Sequence, residues 1–342
     1  MERGIGMKVF MVGGTGLLGS EAAKELIRLG HEVSSIALPP LPTGAQLPPE
    51  MKLEFGNYLE LSDDDVRRHM ASCEGFVFAA GVDERVEGPP PIYDMFRKFN
   101  IDPLERLLRL AKESGVKHAV LCGSYFAYFD RVWPELDLAK HHPYIRSRVD
   151  QARVALGFAG PGFDVAVLEL PYIFGTQPGR KPVWVFLVEQ IRGMKGRTVY
   201  PRGGTTMVTV RQVGQTVAGA LERNRGGTNI PVGWYNLKWT EFLAVVHKYM
   251  GMPGRKVVTL PEWVYALAMR GIVKQQKKAG HEGGLDMVPF AKVMCAECFI
   301  DKGPIEALGV TPDDLDAAIG ASIRLCLDIL DGRTETVGMK GE

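Results

Sequence analysis

Apolar and polar positions alternate along the first half of the chain in two distinct patterns. Short apolar runs rich in β-branched and aromatic residues are typical of buried strands in a parallel sheet. These runs cover residues 9–12, 31–38, 52–56, 76–81, 116–122 and 164–170. Segments with apolar residues at helical spacing lie between them, at residues 20–29, 62–72, 92–114 and 144–158. Because strands that alternate with helices pair in parallel, the pattern predicts a doubly wound α/β sheet.

The pattern changes after Pro171. Loops rich in Gly, Pro and Arg are predicted at residues 175–182 and 201–206, and helices at residues 183–192, 212–223, 240–250 and 261–279. We therefore expect two structural units and a tail. They are the sheet domain at residues 7–171, which later segments complete, a smaller lobe formed mainly by residues 172–330, and the tail at residues 331–342.

A glycine-rich turn follows the first predicted strand, with the sequence Gly13-Gly14-Thr15-Gly16-Leu17-Leu18-Gly19. A strand, a glycine turn and an amphipathic helix are typical of the first half of a dinucleotide-binding βαβ unit. The unpaired N–H groups and the positive dipole end of such a helix bind a pyrophosphate. A side chain at Gly14 or Gly16 would block that approach, and one at Gly19 would push the helix off the strand. The alternative is a glycine-rich turn that holds no ligand.

The second strand does not distinguish NAD from NADP. An Asp or Glu at the end of this strand usually binds the ribose hydroxyls of NAD, and a nearby Arg binds the extra phosphate of NADP. Ala37 occupies that position, and Pro39-Pro40-Leu41-Pro42 follows it. The sequence therefore predicts NAD or NADP without a choice between them, and an altered cofactor pocket stays open as the alternative.

Two local features lie in the middle of the sheet domain. Pro103 falls within the long helix predicted at residues 92–114 and indicates a kink there. A loop that contains His141-His142-Pro143 is expected before the helix at residues 144–158. These two histidines are either proton carriers or loop residues at the edge of a cleft.

The composition excludes several classes of protein. The chain has 342 residues, of which 46% are hydrophobic and 24% charged, with a formal net charge of +1. This balance predicts no attraction to nucleic acid or to a membrane, and no apolar run is long enough to span a bilayer. The residues before the first strand are too few for a signal peptide. Five cysteines favour reduced thiols in the cytoplasm, and Cys295-Ala296-Glu297-Cys298 lacks two further ligands for zinc.

Several short motifs occur in a fixed order. After the glycine turn come Ala79-Ala80-Gly81, Asn100, Ser124, Tyr144 with Arg148 four residues later, Pro171-Tyr172-Ile173-Phe174-Gly175, and Phe299-Ile300-Asp301-Lys302 ahead of Glu306-Ala307-Leu308-Gly309. In this order the chain from Lys8 to about Leu330 resembles the extended short-chain dehydrogenase/reductase family, the NAD-dependent epimerase/dehydratase group. The resemblance implies a Rossmann-like dinucleotide-binding domain with a smaller C-terminal lobe that binds the substrate.

The resemblance also implies catalytic roles for three residues. Tyr144 would be the general acid/base, Ser124 would polarise the reacting oxygen, and Arg148 stands where the family has Lys. A free phenol titrates at about 10, so Tyr144 needs a nearby cation to act near neutral pH. Arg148 lies one helical turn away and keeps that charge, together with a contact to the nicotinamide ribose. Because Arg does not deprotonate, a proton relay through it fails.

Binding roles follow from the same resemblance. Cofactor contacts are implied for Gly13, Thr15, Gly16, Leu17, Leu18, Gly19, Asn57, Ala79, Ala80, Gly81, Tyr144, Arg148 and Pro171. Substrate contacts are expected for Tyr125, Arg180 and Arg202. No metal site is expected, and the family implies a homodimer that packs the helices beginning at Ile92 and Tyr144.

The first functional hypothesis is an NAD(P)-dependent oxidoreductase or epimerase acting on a hydroxyl/carbonyl centre, for example that of a nucleotide sugar. Nucleotide-sugar enzymes usually carry an Asn near the end of strand six, where this chain has Glu169-Leu170-Pro171-Tyr172. One alternative is an NAD(P)-binding or sensory protein without turnover. Another is a ketone or steroid reductase of the same fold, with an apolar pocket walled by Trp184, Phe186, Trp263 and Tyr265.

Overall fold

A computed structural model describes residues 6–41 and 43–336. Residues 1–5, which the signal-peptide argument concerns, Pro42 of the proline-rich loop, and residues 337–342 of the predicted tail lie outside the described residues. The strands are β1 Lys8–Val12, β2 Glu32–Ala37, β3 Lys52–Phe55, β4 Gly75–Phe78, β5 Glu87–Gly88, β6 His118–Cys122, β7 Asp164–Glu169, β8 Tyr172–Phe174, β9 Thr198–Pro201, β10 Gly204–Thr209, β11 Gly227–Pro231, β12 Tyr235–Lys238, β13 Val257–Leu260, β14 Glu282–Gly283 and β15 Glu297–Cys298.

The helices connect these strands on both faces of the sheet. They are α1 Leu17–Arg28, α2 Asp63–Met70, α3 Tyr93–Phe96, α4 Asp102–Glu113, α5 Tyr125–Val132, α6 Leu138–His141, α7 Pro143–Gly157, α8 Val185–Gly193, α9 Val210–Arg223, α10 Trp239–Tyr249, α11 Glu262–Lys278, α12 Ala291–Met294, α13 Gly303–Glu306 and α14 Leu315–Leu330. A π-helical turn spans Arg97–Ile101, and a 3-10 turn spans Pro134–Leu136.

Seven parallel strands form the main sheet, in the order β11-β7-β6-β4-β1-β2-β3. Successive residues of a strand point to opposite faces, so β1 contributes to two cores. Val9 and Met11 pack with α1 and α9, whereas Phe10 and Val12 pack with α2, α4 and α7. The doubly wound α/β fold with smaller C-terminal sheets is confirmed.

Two parts of the sheet domain differ from the local predictions. Helix α1 begins at Leu17, three residues before the predicted start, because the extended backbone of Gly16 ends the turn directly. The long helix predicted at residues 92–114 is interrupted by the π-helical turn, which ends just before Pro103. Proline has no N–H to donate to the preceding turn, and a π-helical turn adjusts the hydrogen-bond pattern at such a position.

The segment predicted as a loop before the helix at residues 144–158 is largely helical. Ser124 begins α5 by accepting a hydrogen bond from the Phe126 N–H, and Tyr125 and Phe129 bury one face of that helix. His141 ends α6 and His142 precedes α7. Buried aromatic side chains spaced four apart stabilise a helix here despite the polar residues that follow.

Three smaller sheets are formed mainly by the C-terminal half of the chain. Strands β12, β10 and β15 pair in that order, and β8 also pairs with β10, whereas β9 pairs with β13. Strand β14 pairs antiparallel with β5, so the segment after α11 returns to the loop that follows β4. In the described part of the chain, no helix is both long and apolar enough to cross a membrane.

Candidate active site

The glycine turn leaves the N-terminus of α1 open. Gly13 has a φ of +93°, and a Cβ placed on it would lie 2.4 Å from the Ala79 carbonyl oxygen. A Cβ at Gly19 would lie 2.2 Å from the Gly13 carbonyl oxygen, so both glycines are required by close backbone packing. Among the described residues, no side chain caps α1 at Gly16, whereas Ser62 caps α2. The first N–H groups of α1 are therefore available to an anion.

Arg180 from the second half of the chain reaches this turn. Its Nη2 donates a 3.2 Å hydrogen bond to Thr15 Oγ1, while its Nε is buried without a hydrogen-bond partner among the described residues. Burial lowers the pKa of the guanidinium. Arg180 was predicted to contact the substrate, and the structure places it beside the predicted cofactor turn. A half-buried cation with unsatisfied hydrogen-bonding capacity suits a phosphate oxygen.

A polar network lies beyond the end of β4. Asn100 is fully buried, its Oδ1 accepts the Val82 N–H at 2.8 Å, and its Nδ2 donates to the Val82 carbonyl at 3.1 Å. Arg148 donates from Nη2 to the same carbonyl at 3.3 Å and from Nη1 to Gln151 Oε1 at 2.8 Å. Its Nε has no hydrogen-bond partner in the described part of the chain. The network fixes the backbone that follows Ala79-Ala80-Gly81 and holds the Arg148 guanidinium against the Val82 carbonyl.

Tyr144 lies directly beside Arg148 and is 4% exposed. The Arg148 guanidinium carbon lies 5.1 Å from the centre of the Tyr144 ring, which also packs edge-on against Phe96. Burial raises the pKa of Tyr144, the positive charge of Arg148 lowers it, and the charge of Glu84 raises it. The Tyr144 N–H donates a 2.9 Å hydrogen bond to the Gly284 carbonyl, so the segment around β14 packs over the start of α7.

Ser124 and Tyr125 lie at the end of β6. Ser124 Oγ accepts the Phe126 N–H at 3.4 Å, and the Phe126 ring packs edge-on against Tyr144. The Tyr125 hydroxyl lies 3.1 Å from Thr205 Oγ1. Burial raises the pKa of Cys122, the last residue of β6, to about 12. The positive charge of Arg148 opposes this rise, so the guanidinium is within electrostatic reach of the end of β6. The structure thus brings the Ser124 segment, Tyr144 and Arg148 to one edge of the sheet.

Glu84 lies in the loop between β4 and β5, and the sequence pattern does not single it out. Burial raises the pKa of Glu84, and the neighbouring Asp83 adds to the rise. Arg148 opposes this rise, so the Glu84 carboxyl lies within electrostatic reach of both Arg148 and Tyr144. Its position after a central strand was the available signal, because ligands bind at the carboxyl edge of such sheets.

A cavity of about 920 Å³ opens next to these residues. Its walls come from residues 82–87, from α8, β9 and α11, and from residues 283–294. Val82, Glu84 and Gly284 line it, and these residues contact or act on Tyr144 and Arg148. Only two of the four residues expected to wall an apolar pocket line this cavity, Phe186 and Tyr265. Trp184 stacks on Phe174 in the core instead, and Trp263 is 71% exposed.

Other predicted site residues lie in different surroundings. Asn57 forms a turn after β3, donating to Glu60 Oε1 at 2.6 Å and accepting the Leu59 N–H at 3.2 Å. Arg202 is exposed after β9. Pro171 is buried between β7 and β8. The described residues contain no cluster of three or more His, Cys, Asp or Glu that could hold a metal, and all five cysteines are free.

Glu169 and His142 have structural partners. Arg131 binds the fully buried Glu169 through two hydrogen bonds of 2.5 and 2.9 Å. His142 is 1% exposed, its Nδ1 accepts the Asp286 N–H at 3.2 Å, and burial, with a smaller effect of His141, lowers its pKa to about 4. A histidine that stays neutral near pH 7 and packs on Phe290 holds the segment after β14 in place.

A model of the NAD dependent epimerase/dehydratase family matches residues 9–206 of the chain. This match spans more than half of the sequence, and the chain belongs to that family. No curated protein matches the sequence.

Several solved structures share the fold. The crystal structure of gox2253 is 18% identical with a TM-score of 0.71, covering 96% of this chain and 99% of that chain. A nucleoside-diphosphate-sugar epimerase from Pseudomonas aeruginosa is 15% identical with a TM-score of 0.65, covering 96% and 99%. UDP-glucuronic acid 4-epimerase from Bacillus cereus, solved in complex with NAD, is 13% identical with a TM-score of 0.66, covering 94% and 99%. At these identities the similarity defines the fold alone.

Proposed function

We propose that the chain is an NAD(P)-dependent oxidoreductase or epimerase that acts on a hydroxyl/carbonyl centre, with Tyr144 as the general acid/base. The observation that carries the proposal is the contact between Tyr144 and Arg148, 5.1 Å from guanidinium carbon to ring centre, at the carboxyl edge of the sheet. Family membership supports it. A perturbed phenol beside a cation and a large cavity is a typical acid/base arrangement.

The residues present suit a dinucleotide. The open N-terminus of α1, with Gly13, Thr15, Gly16, Leu17, Leu18 and Gly19, would hold the pyrophosphate, and Arg180 would add a positive charge there. Ala79, Ala80, Gly81, Pro171 and the unsatisfied Nε of Arg148 would hold the nicotinamide riboside. Asn57 would lie near the adenine end. When bound, the nicotinamide accepts or donates the hydride.

The protein side chains handle the proton. Tyr144 would exchange a proton with the substrate oxygen, and Arg148 would stabilise the tyrosinate form without relaying the proton. Because Ser124 Oγ accepts the Phe126 N–H, its own proton stays available to the reacting oxygen. Glu84, which lines the cavity, would tune the pKa of Tyr144.

Replacement of the phenol tests this assignment. Tyr144→Phe should reduce hydride transfer by about 100-fold or more, because a general acid/base contributes at least that much. The variant should keep its affinity for NAD and NADP by calorimetry, since the glycine turn is unchanged. Tyr128→Phe, on the outer part of α5, is the matched control and should keep full activity. Undiminished turnover in Tyr144→Phe would refute the assignment.

A second candidate is a cofactor-binding or sensory protein without turnover. The low exposure of Tyr144 and the packing of Gly284 over its backbone favour it. Tight NAD binding combined with no hydride transfer to any alcohol or ketone of a broad panel would select this candidate.

The assembly and location belong to the same proposal. We propose a homodimer that packs the helical segments beginning at Ile92 and Tyr144, and light scattering tests whether the dimer forms. The free cysteines suit a reducing cytoplasm.

A further inference from the structure

The cavity beside Tyr144 is lined mainly by apolar side chains. Its volume of about 920 Å³ lies at the upper end of the roughly 300–1,000 Å³ typical of small-molecule sites. The apolar lining includes Phe186, Met194, Tyr200, Tyr265, Met269 and Phe290. Aromatic and methionine side chains present large, adaptable apolar surfaces, so the cavity suits a ligand that buries apolar surface on binding.

The charged groups on the walls do not favour an anion. Three acids line the cavity, Asp83, Glu84 and Glu87, against two bases, Arg85 and Lys181. Arg85 binds Asp83 at 2.6 Å, which neutralises the pair locally. The diphosphate of a nucleotide sugar carries two negative charges, and it needs an excess of cations or of open backbone N–H groups. The wall supplies more acid than base.

The arginines that could have bound a diphosphate lie elsewhere. Arg180 contacts Thr15 in the glycine turn, and Arg202 is exposed. Arg211 is exposed and forms an ion pair with Asp313 at 3.3 Å. None of these three residues lies on the described walls of the cavity. These three arginines thus lie toward the glycine turn and the surface.

The segment after β4 supplies four of the five charged residues on the cavity wall: Asp83, Glu84, Arg85 and Glu87. Val82 and Glu84 follow β4, and the Val82 carbonyl accepts a hydrogen bond from Arg148. Helix α11 contributes Tyr265, Ala268 and Ile272 to the wall, and Gln276 near its end donates to Glu87 at 2.8 Å. A ligand with one oxygen function and a hydrocarbon body would match this distribution of polar and apolar groups.

We propose that the substrate is an uncharged alcohol or ketone with a bulky hydrocarbon skeleton, and not a nucleoside diphosphate sugar. The inference rests on the proposed hydride-transfer function of the same site. In the oxidation direction the carbinol carbon loses a hydride to bound NAD(P)+ and the hydroxyl loses its proton to Tyr144, which gives the ketone. Reduction is the reverse. The apolar body lies against α8, β9 and α11.

The test compares two ligands by calorimetry on the full chain saturated with NAD, so that the glycine turn is already occupied. The probes are trans-1-decalone, a fused bicyclic ketone, and UDP, the nucleoside diphosphate. Decalone should bind at least about tenfold more tightly than UDP. Ala268→Phe fills the α11 wall and should weaken decalone binding at least about tenfold. Gln275→Phe, on the same helix but off the cavity wall, is the matched control and should leave it unchanged. Both variants should bind NAD as the parent does.

The outcomes separate the two proposals. UDP binding that exceeds decalone binding in the unmodified chain would overturn the substrate class, whether or not Ala268→Phe folds. Equal decalone affinity in Ala268→Phe and Gln275→Phe would overturn the assignment of the cavity. Decalone binding without NADH oxidation would refute the hydride-transfer function, while the ligand class of the cavity would stand.

Discussion

The glycine turn and the apolar cavity are built in different ways, although one segment connects them. The turn is a main-chain site, in which Gly13 packs on the Ala79 carbonyl and α1 opens without a side-chain cap. The cavity is a side-chain site, assembled from several separate parts of the chain. Residues 79–87 begin against the turn and end in the cavity wall. Main-chain sites tolerate few substitutions, whereas side-chain walls can change without loss of the fold.

The first prediction compares two glycines with the same φ of +93°. Gly13→Ala should reduce the free energy of unfolding by about 3 kcal/mol or more, because the added Cβ meets the Ala79 carbonyl oxygen at 2.4 Å. Gly30→Ala has nothing within 4 Å and should cost only about 1 kcal/mol. Urea unfolding measures both. Equal losses would show that backbone crowding does not define the turn.

The second prediction concerns His142, which holds the segment after β14 beside the cavity. Its pKa is about 4 in the folded chain, against about 6.5 when unfolded. The unfolded state therefore binds the proton first, and stability falls as the pH drops from 6.5 toward 4, by at most about 3 kcal/mol from this group. His142→Asn should reduce the difference between the free energies of unfolding measured in urea at pH 7 and at pH 5. The exposed His281→Asn should retain the parent slope.

The third prediction tests whether Arg180 belongs to the cofactor end. Arg180→Ala should raise the Kd for NAD roughly tenfold in calorimetry. This is the loss of affinity expected when one charge-assisted hydrogen bond is removed. The exposed Arg202→Ala should leave it unchanged. A loss confined to NADP would assign Arg180 to the 2′-phosphate. An unchanged affinity for both cofactors would leave Arg180 with only its contact to Thr15.

The fourth prediction uses two side chains that act on Tyr144 with opposite sign. The charge of Arg148 lowers the pKa of Tyr144, so Arg148→Met should shift the pH profile of alcohol oxidation to higher pH. The charge of Glu84 raises that pKa, so Glu84→Gln should shift the profile to lower pH. Shifts in the same direction would show that neither charge reaches the phenol.

Much of the cofactor end could be predicted because its signals are contiguous. The apolar run before Gly13, the glycine spacing and the amphipathic helix lie within about thirty residues, and local backbone geometry fixes their relation. The motif order also indicated Ser124, Tyr144 and Arg148, although their roles stay proposals. The apolar pattern predicts the start of α1 too late, because the amphipathic spacing becomes clear only after the helix has begun. The extended backbone of Gly16 already ends the turn.

The cavity could not be predicted, because it depends on the tertiary structure. Glu84 lies far in sequence from α11 and Gly284, and nothing local indicates that they meet. The helix α5 was missed because its buried face becomes apparent only once Phe126 packs on Tyr144 and Phe290. The sequence alone determined the parallel sheet and its open helix end, because hydrophobic period and glycine spacing act over short distances. Only the packed chain decided what the cavity is made of, because its walls are contacts between distant segments.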